Sequence, residues 1–298
     1  MRLISTFCLM LALVLAGSAH AHIGEKVFLI FEIPDADLED IDLFDADISD
    51  WEDVVGDASL TPEDFFADPT VGDGASYNPA DMDYRLWLGW SETNNRLYLA
   101  AERIDDIYIN EYGGGAPATV WQYDSVEFMV DGDHSGGQYN FNNSETMTDE
   151  EKARNQNSQA QKWNATFDAP DGRILGYPGR AEWLNSTPLS DGGGGSTGGG
   201  PTVSVLEIYV TPYDDIIFAD QEGSRATDLE AGNIIGLQIA MPDFDEEPQK
   251  YRGYHTLSGQ AATFRFAERF VDARLVGADE ATAVADLSWA RIKASFNE

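Results

Sequence analysis

Trp121 and Glu127 stand six positions apart in Trp121-Gln122-Tyr123-Asp124-Ser125-Val126-Glu127-Phe128-Met129-Val130-Asp131, and their types could do chemistry together. An indole is a flat apolar platform. A pyranose ring has an apolar C–H face that packs on such a platform, while a carboxylate accepts hydrogen bonds from its hydroxyls. The chemistry would be recognition of a sugar. Seven tryptophans and twelve tyrosines multiply the platforms available. The plainer alternative is a core tryptophan followed by a solvated strand glutamate, since large aromatics tend to pack inward and carboxylates to face water.

Other constellations carry fewer cues. Asp105, Asp106, Asp131, Asp133, Asp243 and Asp245 fall at the ends of expected strands, where loops could wrap a hard cation such as calcium in carboxylate and backbone oxygens. Asp131-Gly132-Asp133 lacks the spacing of a helix-loop-helix calcium site. Glu127 and Glu207 could form a glycosidase pair if a cleft brought them together. Cleavage of a leader after Ala21 would expose His22, whose amine and imidazole could chelate copper, with His134 and His255 as the remaining histidine partners. Met82, Met129, Met241 or a histidine could ligate haem, although no Cys-x-x-Cys-His is present. The glycines between Asp191 and Pro201 lack the Lys-Ser/Thr and helix of a phosphate loop, and no nucleophile elbow or zinc signature occurs.

The elements that must position these residues are strands. Tyr84 to Trp90, Arg96 to Glu102 and Ser125 to Asp131 alternate, with Leu86, Leu88, Leu97, Leu99, Val126, Phe128 and Val130 on one face and Trp87, Tyr98, Ser125, Glu127 and Met129 on the other. Further strand signals run from Ile23 to Ile33, closed by Pro34, from Gln138 to Phe141, from Val203 to Val210, from Ile234 to Met241 and from Phe270 to Val276. Thr148 followed by acids predicts a capped surface helix reaching toward Lys162. The acidic run from Asp35 to Asp57 interleaves Leu38, Ile41, Leu43, Phe44, Ile48 and Trp51, which predicts ordered surface chain packing those residues inward. Residues 58 to 80 read as loop, and the glycine run at 191 to 201 as a flexible linker-like loop. Many strands and one short surface helix predict an all-β fold, an antiparallel β-sandwich of jelly-roll or immunoglobulin-like type with long loops.

Residues 1 to 21 read as a secretory signal peptide: Arg2 is followed by an apolar core from Ile4 to Ala16 and the small-residue site Ala19-His20-Ala21. The mature chain would begin at His22, form one domain to residue 298, and reside in the periplasm or outside the cell. Cys8 lies within that leader, so no disulfide is expected in the mature protein. The formal charge of −35, from 53 acidic against 18 basic residues, sets up a field that repels nucleic acid and anionic membrane and gathers cations.

Trp121-x-x-Asp124-Ser125-Val126-Glu127-x-x-Val130-Asp131, preceded by Leu97-Tyr98-Leu99 and Asp105 and followed by Leu206-Glu207-Ile208 and Gly236-Leu237-Gln238-Ile239-Ala240-Met241-Pro242-Asp243, resembles the family 9 carbohydrate-binding modules. Asp45-Ala46-Asp47-Ile48-Ser49-Asp50-Trp51 is similar to that family's opening turn and buried tryptophan, with Ala46 where glycine is usual. The resemblance runs from about Asp45 to Leu275, broken by an insertion at about 142 to 202. It implies a sandwich that binds poly- or oligosaccharide without catalysis and holds structural calcium, here through Asp105, Asp131, Asp133 and Asp243. It further implies that Trp121 and an aromatic near the C-terminus, Phe264 in place of tryptophan, flank a terminal sugar, with Glu127 as the carboxylate partner. The family's arginine on the following strand would be replaced at Asn140, beside Gln138, and its asparagine by Ala261. A sugar-binding protein using Trp121, Glu127, Gln138, Asn140 and Phe264 is the resulting expectation. The alternatives are a calcium-stabilised structural or adhesion sandwich that lacks a sugar site, or a haem or copper protein.

Overall fold

Alternation dictates two layers. In a computed structural model, which describes residues 23–115, 117–140, 146–154 and 156–280, the strands are β1 (Ile23–Glu32), β2 (Phe66–Ala67), β3 (Met82–Ser91), β4 (Arg96–Asp105), β5 (Ser125–Asp131), β6 (Gln161–Thr166) and β7 (Leu175–Gly176). They continue with β8 (Ser190–Gly198), β9 (Thr202–Val210), β10 (Tyr213–Ile217), β11 (Asp220–Ala226), β12 (Ile234–Asp243), β13 (Gly253–Thr256) and β14 (Val271–Val276). Among the described residues, the short helices α1 (Asp35–Leu38), α2 (Ser49–Val54) and α3 (Asp149–Arg154) sit among them, where the sequence predicts one surface helix. The leader, His22, Phe141 and the insertion's first residues, 142 to 145, lie outside the described residues.

Hydrogen bonding runs in the order β7-β6-β5-β12-β14-β1-β3-β4-β9-β8, with β13 beside β12 and β2, and β10 and β11 forming a separate hairpin. The path folds into a sandwich because every second residue of its central strands enters one core. Val126, Phe128 and Val130 of β5, Ile235, Leu237 and Ile239 of β12, and Ala273 and Leu275 of β14 meet Leu86, Leu88 and Trp90 of β3, Leu97 and Leu99 of β4, and Leu206 and Ile208 of β9. Burial of each such side chain contributes about 1.5–3 kcal/mol. β1 departs from the antiparallel rule. It pairs parallel with β14 from Val27 to Phe31 and parallel with β3 at Phe31 and Glu32, so it joins the two layers.

The outer face of β3, β4 and β9 is roofed by the acidic run. Trp51 of α2 is buried against Trp87, Tyr98 and Val205, and Leu38, Ile41 and Leu43 pack on the same group, while Phe44 stays exposed. The Trp51 indole donates to Glu207 Oε1 at 2.8 Å and that of Trp87 to the Gly56 carbonyl at 2.9 Å.

Several expectations change. Gln138 forms only an isolated bridge with Phe266 where a strand from Gln138 to Phe141 is expected, and the expected loop over 58 to 80 carries β2. The glycine run is no linker but β8, paired along its length with β9. Its glycines are needed because a Cβ at Gly193 would stand 2.8 Å from both the Leu43 carbonyl oxygen and Phe44 Cα, and one at Gly194 would stand 2.7 Å from the Phe167 carbonyl oxygen. Gly193→Ala should therefore lower unfolding free energy by about 1–3 kcal/mol in urea titration, since both obstructing atoms are backbone. The helix after Thr148 is capped as predicted, Thr148 Oγ1 accepting the Glu151 amide at 3.2 Å and Glu151 accepting the Thr148 amide at 2.7 Å, but it ends at Arg154. Residues 161 to 166 are β6, with Trp163 and Ala165 inward.

Candidate functional site

Because Val126 and Phe128 enter the core, Glu127 must point out of the sandwich, onto the free face of β5. Asn164 of β6 lies directly opposite it and Ala240 of β12 flanks its other side. Lys162, two residues before Asn164, shares this face and donates from Nζ to Glu127 Oε1 at 2.8 Å; the Tyr254 hydroxyl on β13 donates to Oε2 at 2.5 Å. Glu127 is 2% exposed and Lys162 7%. Burial, with Glu127 adding to it, holds the Tyr254 phenol well above its usual range, so Tyr254 stays a donor.

Aromatic residues wall this floor. Trp121 comes from the short 3₁₀ turn before β5 and Phe264 from the loop between β13 and β14; both are half-buried. The Tyr251 hydroxyl donates to the Trp121 carbonyl at 3.3 Å, and Tyr251 itself packs on Phe244 at 4.5 Å between centroids and edge-on to Tyr254 at 5.8 Å. Thr70, Val71 and Gly72 form a rim. Only glycine fits at 72, where φ is +58° and a Cβ would stand 2.0 Å from the Tyr251 carbonyl oxygen. The result is a pocket of about 660 Å³ lined by Trp121, Phe264, Tyr251, Tyr254, Glu127, Lys162, Asn140, Asn164, Pro178 and the rim.

Of the predicted sugar contacts, Trp121, Glu127, Asn140 and Phe264 meet in this one pocket. Gln138 stands behind it, its side-chain amide donating to the Asn140 carbonyl at 3.1 Å, while Asn140 Nδ2 donates to the Phe264 carbonyl at 3.3 Å. These two residues thus tether the Phe264 loop. Lys162, Tyr251 and Tyr254 are absent from the sequence reading. In space the strand following β5 is β6, so the cation beside Glu127 is Lys162, and Asn140 is not its substitute. The alternation of Lys162 and Asn164 with Trp163 and Ala165 is the signal that would have revealed it.

The four aspartates expected to hold calcium do not all meet at one point. Asp105 and Asp243, joined by Asp124, surround the fully buried guanidinium of Arg103. Its Nε donates to Asp105 at 2.7 Å, while its two terminal nitrogens reach the Pro242 carbonyl at 2.6 Å, Asp124 at 2.7 Å and Asp243 at 3.1 Å. The cation there is an arginine, so these residues do not fit a calcium cage. Asp131 ends β5 and Asp133 follows it, at the opposite end of the strand from Asp124; there Asp131 accepts the Gly136 amide at 2.7 Å and Asp133 the Ser135 amide at 3.2 Å, closing a turn.

Burial pushes the Asp243 carboxyl up to about 7, with Asp105, Asp245 and Asp81 adding to the shift and Arg103 opposing it. A carboxyl raised on folding contributes stability that is full below about pH 4 and is lost as pH climbs through about 7. Melting temperature should fall across that window, and Asp243→Asn should flatten the fall; an unchanged slope in the variant would count against this assignment.

Glu127 and Glu207 cannot act as a pair. Leu206 and Ile208 enter the core from β9, so Glu207 points outward from the other layer, where it is bonded to Trp51. Burial pushes its carboxyl up to about 8. Among the remaining ligand candidates, Met82, Met129 and Met241 are buried. His134 contacts Asp272 at 2.8 Å, and His255 contacts the Tyr84 hydroxyl at 3.2 Å and the Ala75 carbonyl at 3.1 Å.

No protein-family model matches the chain, and no curated protein does. Among solved structures, the chain superposes on a family 9 carbohydrate-binding module from Caldicellulosiruptor kristjanssonii in complex with cellotriose, at a TM-score of 0.48 and 12% sequence identity, over 85% of this chain and 94% of that chain. A family 9 carbohydrate-binding module from the same organism in complex with glucose gives a TM-score of 0.48 and 12% identity over 84% of this chain and 96% of that chain.

Proposed function

We propose that this chain is a non-catalytic carbohydrate-binding protein, seating pyranose rings of an oligosaccharide against Trp121 and Phe264 and engaging their hydroxyls with Glu127, Lys162 and Asn140. One observation carries this: aromatic walls and a hydrogen-bonding floor meet in a single open pocket of about 660 Å³, within the roughly 300–1,000 Å³ typical of small-ligand sites. The floor offers both kinds of partner that a hydroxyl needs, since the Glu127 carboxylate accepts and the Lys162 ammonium donates. Lys162 is already paired with Glu127, and the chain carries a charge of −35, which favours neutral over acidic sugars.

Catalysis is disfavoured by the same geometry. Glycosidases use two carboxyl groups across the scissile bond, and among the described lining residues Glu127 is the one carboxylate. Export to the periplasm or beyond belongs to the same proposal, through the leader at 1 to 21.

Titrating neutral oligosaccharides built from glucose, xylose and N-acetylglucosamine while following tryptophan emission tests this reading. A saturable change at micromolar concentrations or above is expected, corresponding to about −8 kcal/mol or weaker. Silence across the whole panel would refute it.

A further inference from the structure

Among the described residues, the exposed aromatic side chains are Phe44, Phe66, Tyr77 and Phe218. Single exposed apolar residues are ordinary on a protein surface, so position decides whether one of them is more than that. Phe44 lies on the roof of the opposite layer, against β8; Tyr77 precedes β3, its hydroxyl donating to Asp83 at 2.8 Å; and Phe218 joins the strands of the β10–β11 hairpin. Phe66 lies on the pocket's own sheet.

Its place follows from register. Asn164 of β6 is opposite Glu127 of β5, Glu127 is opposite Ala240 of β12, Ala240 is opposite Thr256 of β13, and Thr256 is opposite Phe66 of β2. Residues directly opposite in antiparallel strands project to one face, so Phe66 leaves the sheet on the face that carries Glu127. Its neighbour agrees with this: Phe65 enters the core and meets Tyr84 edge-on at 5.1 Å between centroids. The steps from β5 through β12 and β13 to β2 put Phe66 about 14 Å from Glu127. One pyranose ring is too short to touch both, whereas a chain of several rings can.

Between the two, Ala240 packs with Val71 of the rim, and Thr256 Oγ1 accepts the Gly259 amide at 3.1 Å, so a ligand spanning them passes above the strands. The turn it would cross is polar and braced. Ser258 Oγ accepts the Gln238 side-chain amide at 2.6 Å and the Gln260 backbone amide at 3.3 Å, and Gln260 is exposed. Gly259 has φ +64°, and a Cβ there would stand 2.9 Å from that of Phe66, so glycine lets the turn lie beside the base of the ring. Phe66 itself remains 56% exposed. Its strand runs directly into the Thr70–Gly72 rim, and the Asp68 amide donates to the Tyr254 carbonyl at 2.8 Å, which makes platform and pocket wall one braced segment.

We propose that Phe66 is a second stacking platform and that the site takes neutral oligosaccharides of several rings, one ring lying against Trp121 and Phe264 and a later one on Phe66. The proposal rests on the sugar reading of the pocket. A phenyl face suits the C–H face of a neutral pyranose, and the charge of −35 disfavours an acidic one. Linked contacts of this kind raise affinity with ligand length, because the second ring is already held close when the first has bound.

Calorimetry of the full chain with a neutral series from monosaccharide to hexasaccharide tests this. Wild-type affinity should step up by about fivefold or more at the length that spans pocket and platform. Phe66→Ala should remove the step and leave mono- and disaccharide affinity unchanged, and Phe66→Trp, with its larger face, should enlarge it. The tryptophan variant keeps the test decisive if the alanine variant fails to fold. Affinity that does not rise with length, a step that survives in Phe66→Ala or is unaltered in Phe66→Trp, or an equal loss at every length overturns the proposal and leaves the pocket's sugar reading intact. Silence of the wild type toward every length overturns both.

Discussion

Trp121→Ala should weaken oligosaccharide binding at least about 30-fold, which is about 2 kcal/mol and the scale of an aromatic anchor at the centre of a binding site. Trp121 is half-buried, on a turn outside the two layers, and its backbone carbonyl, rather than its indole, holds Tyr251. Truncating the side chain therefore removes a platform without removing a support. Calorimetry is the appropriate measurement, because the substitution also removes a fluorophore. Trp121→Phe should fall between the two, since a phenyl ring stacks with less area. Wild-type affinity in the alanine variant would mean that the ligand sits elsewhere.

The largest loss of stability is expected from Arg103→Leu, at about 3–5 kcal/mol, because it leaves Asp105, Asp124 and Asp243 buried together with no cation. Burial opposes the charge on Arg103, and the three aspartates outweigh that opposition. These groups come from β4, from the residue just before β5 and from the end of β12, so the cluster ties both layers together beneath the turn that bears Trp121. Arg85 is a suitable contrast. It pairs with Glu52 and Glu102 but is 43% exposed at its side chain, and Arg85→Ala should cost no more than about 1 kcal/mol. Urea denaturation of both variants decides the matter; equal losses would show that burial does not set the energetics here.

Period-two burial makes most of the fold legible in the sequence. Leu86, Leu88, Leu97, Leu99, Val126, Phe128 and Val130 enter the core from the face that their spacing predicts. The method fails where a strand carries no pattern. In β8 the glycines have no side chain to alternate, and the reason for them, the backbone of Leu43 and Phe44 pressed against Gly193, lies far away in sequence. In β6 the polar residues before Gln161 favour a helix, and only Trp163 and Ala165 betray the strand. Losing β6 meant losing Lys162. Tyr254 was hidden for a different reason, since it reaches Glu127 only because β13 pairs with β12. The residues expected to hold calcium fall in two separate places because sequence does not say which end of a strand faces which, and Arg103 inside one of the two groups cannot be read from spacing.

Among the described residues, the first strand pairs with the last. β1 lies between β14 and β3, and Phe28 is in register with Ala273. A chain made from its N-terminus onward therefore produces β1 early but cannot close the joint between the two layers until β14 has emerged. Contacts of such long sequence separation slow folding, because loop-closure entropy must be lost before they form. Until β14 arrives, β1 lacks the neighbour it pairs with over most of its length.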